Sequence, residues 1–213
     1  MEFLISSVLG YLFGSFPTAY LVLKKTQNID ITKTGTGNVG AMNSYEVTNS
    51  KWIGILVFLI DALKGILSVL IMKIIFPDVF IFPALALVFA VLSHCYNPWL
   101  KFKGGRGLAT SAGGAAFIFP FVLIVWVLLW AIIYLLKKEI LFANIWAIIM
   151  SIIINFTSSH ISYKYTFPMA DSVNTLIVIS TFLLIIIFIK HIEPLKELIG
   201  KKTFIKKSEH NEK

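Results

Sequence analysis

The chain has 213 residues, 57% of them hydrophobic and only 14% charged, a balance that excludes an ordinary soluble domain and indicates a polytopic membrane protein. Its formal charge of +8 would suggest a nucleic-acid partner in a soluble protein, but membrane topology accounts for where the basic residues fall, and no nucleic-acid partner is expected. One cysteine, Cys95, leaves no intrachain disulfide framework.

Apolar stretches occupy residues 3–23, 52–75, 79–96, 107–136, 140–158 and 173–189. The first reads as a retained helix rather than a signal peptide, because it begins with Glu2 and lacks both a basic leader and a small-residue cleavage site. Segments 24–51, 101–106, 137–138 and 190–213 carry four, three, two and seven Lys/Arg, together 16 of the 19. Lys64 lies within a span, so only Lys73 and Lys164 remain for the opposite face. Placing all four basic segments in the cytoplasm requires stretch 107–136 to break at Pro120 into 107–119 and 121–136, each shorter than the roughly 20 residues of a full span. A single crossing there would put the seven-charge tail outside, against the positive-inside rule. The expectation is therefore an all-α polytopic integral membrane protein with about seven transmembrane helices, N-terminus outside and C-terminus cytoplasmic. Residues 1–200 would form one transmembrane domain, and 201–213 a basic cytoplasmic tail that is solvated or faces anionic lipid.

Polar constellations follow in chain order. The segment Gly35-Thr36-Gly37-Asn38-Val39-Gly40-Ala41-Met42-Asn43 is too glycine-rich to be helical throughout. It can form a backbone nest with a hydroxyl from Thr36 and amides from Asn38 and Asn43, although plain turns use the same residues. Asp61 and Lys64 share one helical face; charges inside a membrane are costly, so the pair either faces a wet cavity or fixes helix packing. Lys103-Gly104-Gly105-Arg106-Gly107-Leu108-Ala109-Thr110 reads as a phosphate cradle between two apolar runs. Its glycines let N–H groups turn inward, a helix starting near Gly107 adds its dipole, and Arg106 can pair bidentately with phosphate. The same loop could be basic for topology alone and glycine-rich only to turn.

Of the four histidines, His94 reads as structural, His160 as outward-facing and His210 as part of the tail. His191 follows Lys190 at the cytoplasmic end of the last span, where it could bind an anion, take a proton or simply cap a helix. No spacing resembles a metal site, so no metal or other cofactor is expected. No Gly-x-Ser-x-Gly elbow or His-x₄-Asp pair appears, and residue chemistry alone leads as far as phosphate.

The order of motifs resembles the PlsY-type acyl-phosphate:glycerol-3-phosphate acyltransferases of bacterial membranes, nearly end to end. The likeness rests on Gly14-Ser15-Phe16-Pro17-Thr18-Ala19-Tyr20, Gly35 to Asn43, Asp61-x-x-Lys64-Gly65, His94 through Thr110, and Lys190-His191. It implies seven helices in the bacterial cell membrane with a cytoplasm-facing site. It also implies transfer of an acyl group from acyl phosphate to the sn-1 hydroxyl of glycerol 3-phosphate, giving lysophosphatidate and phosphate. Carried onto this chain, the resemblance gives Thr36 and His191 as catalytic residues. Substrate contacts would come from Gly35, Gly37, Asn38, Asn43, Lys103, Gly104, Gly105, Arg106, Gly107 and Thr110, with Asp61 and Lys64 in support. Partners would be the two substrates and membrane lipids, while no protein partner is indicated.

The chain departs from the family pattern near the expected acceptor site. Glu46 stands where the family has arginine, Thr36 replaces serine and Met42 replaces threonine. After His191 it has Pro194, Glu197 and Gly200-Lys201-Lys202 in place of the usual Asn, basic residue and Gly-x-Glu. Glu46 would repel a phosphate by on the order of 1–4 kcal/mol, with Lys33 or Lys51 as possible compensation. The departures leave open an altered acceptor, or a non-catalytic paralogue that binds acyl or lipid phosphate and regulates lipid synthesis. A small organic-anion transporter is a third class, but no inverted repeat supports it.

Overall fold

The computed structural model describes residues 1–211, with side chains through Lys196. The side chains of segment 201–213, expected as a basic tail, and of Glu197 and Gly200-Lys201-Lys202 therefore lie outside the described residues. Among those described, the regular elements are helices: α1 (Glu2–Gly14), α2 (Thr18–Gln27), α3 (Ala41–Thr48), α4 (Lys51–Ile75), α5 (Ile81–Cys95), α6 (Leu108–Ile118), α7 (Pro120–Lys137), α8 (Ile140–Thr157), α9 (Ser159–Lys164) and α10 (Val173–Asn211). Short 3₁₀ turns occur at Ile31–Lys33 and Pro98–Leu100.

Among the described residues, six helical segments are long and apolar enough to cross a membrane, with α1 and α2 counted together over Glu2–Gln27. The 11-residue α6 is too short to do so alone. The expected break near Pro120 is present. Phe119 (φ −143°, ψ 66°) leaves the helical region after Ile118, and Pro120 opens α7, where a missing N–H costs no intrahelical bond. Arg106 just before α6 and Lys138 just after α7 line one cavity, so this helix pair turns back on itself. A second break, at Ser15-Phe16-Pro17, follows from Pro17 having no N–H to continue the ladder.

Apolar side chains face both the surroundings and the interior, and polar ones are buried among the helices. Trp52, Leu59, Leu128 and Leu135 are exposed, as lipid-facing residues should be, while Ser6, Ser68, Asn144, Asn155 and Ser180 are buried among the helices. Small residues let backbones meet. A side chain at Gly10 or Gly14 of α1 would strike the carbonyls of Ala86 and Ala90 on α5, and Gly65 of α4 sits equally close to the Thr110 carbonyl of α6. The main apolar core joins α4, α5, α6, α7, α8 and α10 around Leu87, Val91, Ile118, Ile148 and Leu176. A smaller core of Ala19, Leu23, Ile31, Val39 and Val57 seats the loop between α2 and α3 on α4.

Candidate active site

The loop from Asp30 to Gly40 is built by its own side chains. Asp30 Oδ1 accepts from the Thr32 N–H at 3.1 Å and the Thr32 hydroxyl at 2.6 Å, starting the first 3₁₀ turn. These bonds, with the Thr32 hydroxyl contributing most, hold the Asp30 carboxyl below its ordinary pKa. Gly35 (φ +61°) and Gly37 (φ +69°) then take left-handed conformations that wrap the loop around Asn43. Asn43, 1% exposed, accepts from the Thr36 N–H at 3.0 Å and donates to the Thr34 and Asn38 carbonyls at 3.1 and 2.9 Å. Its amide is thus committed to the loop.

The second glycine loop starts from Asn97, whose Oδ1 accepts from the Trp99 N–H at 3.1 Å and whose Nδ2 donates to the Ser15 carbonyl at 2.7 Å. Lys101 and Phe102 follow in consecutive left-handed conformations (φ 54° and 61°), an unfavourable state for side-chain-bearing residues that aims Lys103 onward. The Gly105 N–H donates to the His94 carbonyl at 3.0 Å, and the Val39 N–H donates to the Gly104 carbonyl at 3.2 Å. That last bond joins the two glycine loops directly. Gly107 (φ +86°) begins α6 without a side-chain cap.

Beneath the second loop lies a buried ionic cluster. Lys64 Nζ pairs with Asp61 Oδ1 at 2.9 Å and donates to the Phe16 carbonyl at 3.0 Å, at the break in the first span. His94 Nδ1 lies 3.8 Å from the same Asp61 oxygen, and its Nε2 fills the space a Gly105 side chain would need. Of the two readings of Asp61 and Lys64, the packing ion pair is the one observed: neither lines the cavity, and together they brace the floor of the loop.

The two loops open on a cavity of about 890 Å³. Thr36, Gly37 and Asn38 line it from the first loop, and Lys103, Gly104 and Arg106 from the second. Other expected site residues are not among those that line it. Gly35 supports the wrap around Asn43, Gly105 packs on His94, and Gly107 is buried against Val91 and Cys95. Thr110, expected to touch substrate, is fully buried where α6 meets Gly65 of α4. Small residues draw α6 against α4 and turn that face away from the opening.

His191, expected as a catalytic residue, is not among the residues that line the cavity. It is 0% exposed, with Nδ1 2.8 Å from the Ile187 carbonyl and Nε2 3.4 Å from Asn144 Nδ2. A carbonyl requires a donor, so the Nδ1 proton is committed there and Nε2 accepts from Asn144. The ring spans α10 and α8 and does not line the cavity. Lys33 and Lys51 do not offset Glu46 there either, since Lys33 pairs with Asp30 at 3.8 Å and neither lysine lines the cavity. Glu46 does line it, together with Glu193, Lys138 and Lys190. The last two were legible only as a basic turn and as the neighbour of His191.

Over residues 4–201 the chain matches the family model described as glycerol-3-phosphate acyltransferase. The chain belongs to the glycerol-3-phosphate acyltransferase family. It is 34% identical over 208 residues to a glycerol-3-phosphate acyltransferase of Campylobacter lari, covering 95% of this chain and 98% of the relative. It is likewise 34% identical over 202 residues to one of Pelagibacter ubique, covering 95% and 96%. Among solved structures it is similar to PlsY, an integral membrane glycerol 3-phosphate acyltransferase, in its glycerol 3-phosphate form. There the TM-score is 0.78 at 27% identity, over 94% of each chain. The lysophosphatidic acid form of PlsY gives 0.75 at 28% identity, over 94% of this chain and 93% of that one. In this chain the two joined glycine loops bring Lys103 and Arg106 to the same cavity as Thr36 and Asn38.

Proposed function

We propose that the protein moves a fatty acyl group from an acyl phosphate to the sn-1 hydroxyl of glycerol 3-phosphate, yielding lysophosphatidate and inorganic phosphate for phospholipid synthesis. The reading is carried by the Val39 to Gly104 hydrogen bond, which brings two phosphate-suited loops to one cavity in a chain of this family. Lys103, Arg106 and the Gly104 backbone hold the donor's phosphate and stabilise charge on the leaving group. Thr36 and Asn38 orient the acceptor, using proximity in place of covalent catalysis.

The acceptor oxygen attacks the acyl carbon, the bond from that carbon to the phosphate oxygen breaks, and phosphate departs. Because both nitrogens of His191 are partnered, the hydroxyl proton passes to a substrate phosphate oxygen. The acyl tail lies against the apolar helix walls that face the bilayer, where residues such as Leu128 and Leu135 are exposed. Residues 1–200 act as one membrane domain. The cavity faces the cytoplasm of a bacterial cell membrane with the N-terminus outside, an orientation supported by the basic residues gathered at this end of the bundle. Purified protein in lipid should release phosphate from palmitoyl phosphate only when glycerol 3-phosphate is present. Acceptor-independent release, or none, would overturn the reading.

A further inference from the structure

Two substrates that each carry a phosphate need more positive charge than one glycine loop provides. Lys103 and Arg106 belong to that loop, and two more cations, from the α7–α8 turn and from α10, line the same cavity. Lys138 follows α7 in a left-handed conformation (φ 54°), its N–H bonded to the Tyr134 carbonyl at 2.7 Å and its Nζ 5.8 Å from the Tyr134 ring centre. Lys190, on α10, sets its Nζ 4.7 Å from the centre of the Tyr96 ring. All four residues line the cavity.

Neither ammonium has a carboxylate within 4.0 Å among the described residues. The adjacent Glu139 commits its Oε2 to the Phe142 N–H at 2.6 Å, capping α8. An aromatic face attracts an ammonium but accepts no strong hydrogen bond, so the N–H donors of both lysines stay available. Two cations seated on rings, with donors unspent and no carboxylate within 4.0 Å among the described residues, make an anion site in the cavity that also holds Glu46 and Glu193. Such a site also offsets Glu46, whose charge replaces the arginine of the family pattern.

We infer that Lys138 and Lys190, each backed by a tyrosine face, bind the phosphate of the acceptor glycerol 3-phosphate. The inference rests on the acyl-transfer reading for its ligand, and its test separates the two. Lys138→Gln and Lys190→Gln should each raise the KM for glycerol 3-phosphate about tenfold or more, while kcat and the KM for palmitoyl phosphate change by less than about threefold. Lys138→Arg and Lys190→Arg should keep the acceptor KM within about threefold of the parent, which also reports correct folding. Lys33→Gln, outside the cavity, is the neutral control. An unchanged acceptor KM, or a raised donor KM instead, overturns the assignment.

Calorimetric titration of glycerol 3-phosphate into the protein without donor gives a readout independent of turnover. Binding lost in the Gln variants supports the site even if the parent releases no phosphate, in which case only the transfer reading fails. Equal binding by parent and variants, or no binding by the parent, removes the site whatever the turnover.

Discussion

The Thr36 N–H donates to Asn43 Oδ1 at 3.0 Å, so the position of an exposed hydroxyl in the cavity depends on a buried amide seven residues away. Asn43→Ala should cost about 1–3 kcal/mol of stability and lower kcat/KM about tenfold or more as the loop unwinds. Thr36→Ala leaves the amide's bonds intact, so it should lower kcat/KM without moving the thermal midpoint in detergent. Equal midpoint losses in both variants would contradict this division of roles.

Gly105 and His94 test whether the cradle is held from below. Gly105→Ala places a methyl group on His94 Nε2 and, less severely, 2.9 Å from the Val39 carbonyl, and should reduce phosphate release about tenfold or more. Removing the obstacle in the Gly105→Ala/His94→Ala double variant should recover part of that loss. A double variant weaker than the sum of the two single changes would count against steric support.

The Asp61 and Lys64 pair should behave as structural charge. Asp61→Leu leaves a buried ammonium without its carboxylate and should destabilise the protein by about 3–5 kcal/mol. Asp61→Leu combined with Lys64→Met removes both charges and should be closer to the parent in thermal midpoint than the single variant. Additive destabilisation would mean that the pair is not the interaction that matters.

His191 should govern stability and leave the proton chemistry unchanged. His191→Asn breaks the bridge between α10 and α8 and should lower the thermal midpoint. The pH profile of kcat/KM from the residual activity should keep the parent's shape, since a ring with both nitrogens partnered is not the proton acceptor. A limb of the profile lost with the histidine would restore its catalytic assignment.

Much of the fold was legible because membrane physics leaves few choices: apolar runs of span length become helices, and Pro120 cannot sit inside one without cost. The meeting of the glycine loops was legible too, since both lie between spans and in basic segments. Which face each terminal residue presents was not. His191 and Lys190 are neighbours in sequence, yet helix rotation sends one to Asn144 in the interior and the other to Tyr96 at the cavity. The burial of Thr110 was not legible for the same reason, because its orientation follows from close contact between α6 and Gly65. Lys138 reaches the cavity through a left-handed residue between α7 and α8, a backbone state that its sequence does not advertise.

Gly10 and Gly14 seat α1 directly on the main chain of α5, and α5 ends in the His94 carbonyl that receives the Gly105 N–H. α1 and α5 therefore meet backbone to backbone, with no side chain between them to absorb a shift. Stretching or thinning the bilayer should disturb the support of the cradle, so the rate of this acyltransferase should follow lipid chain length even when both substrates saturate it.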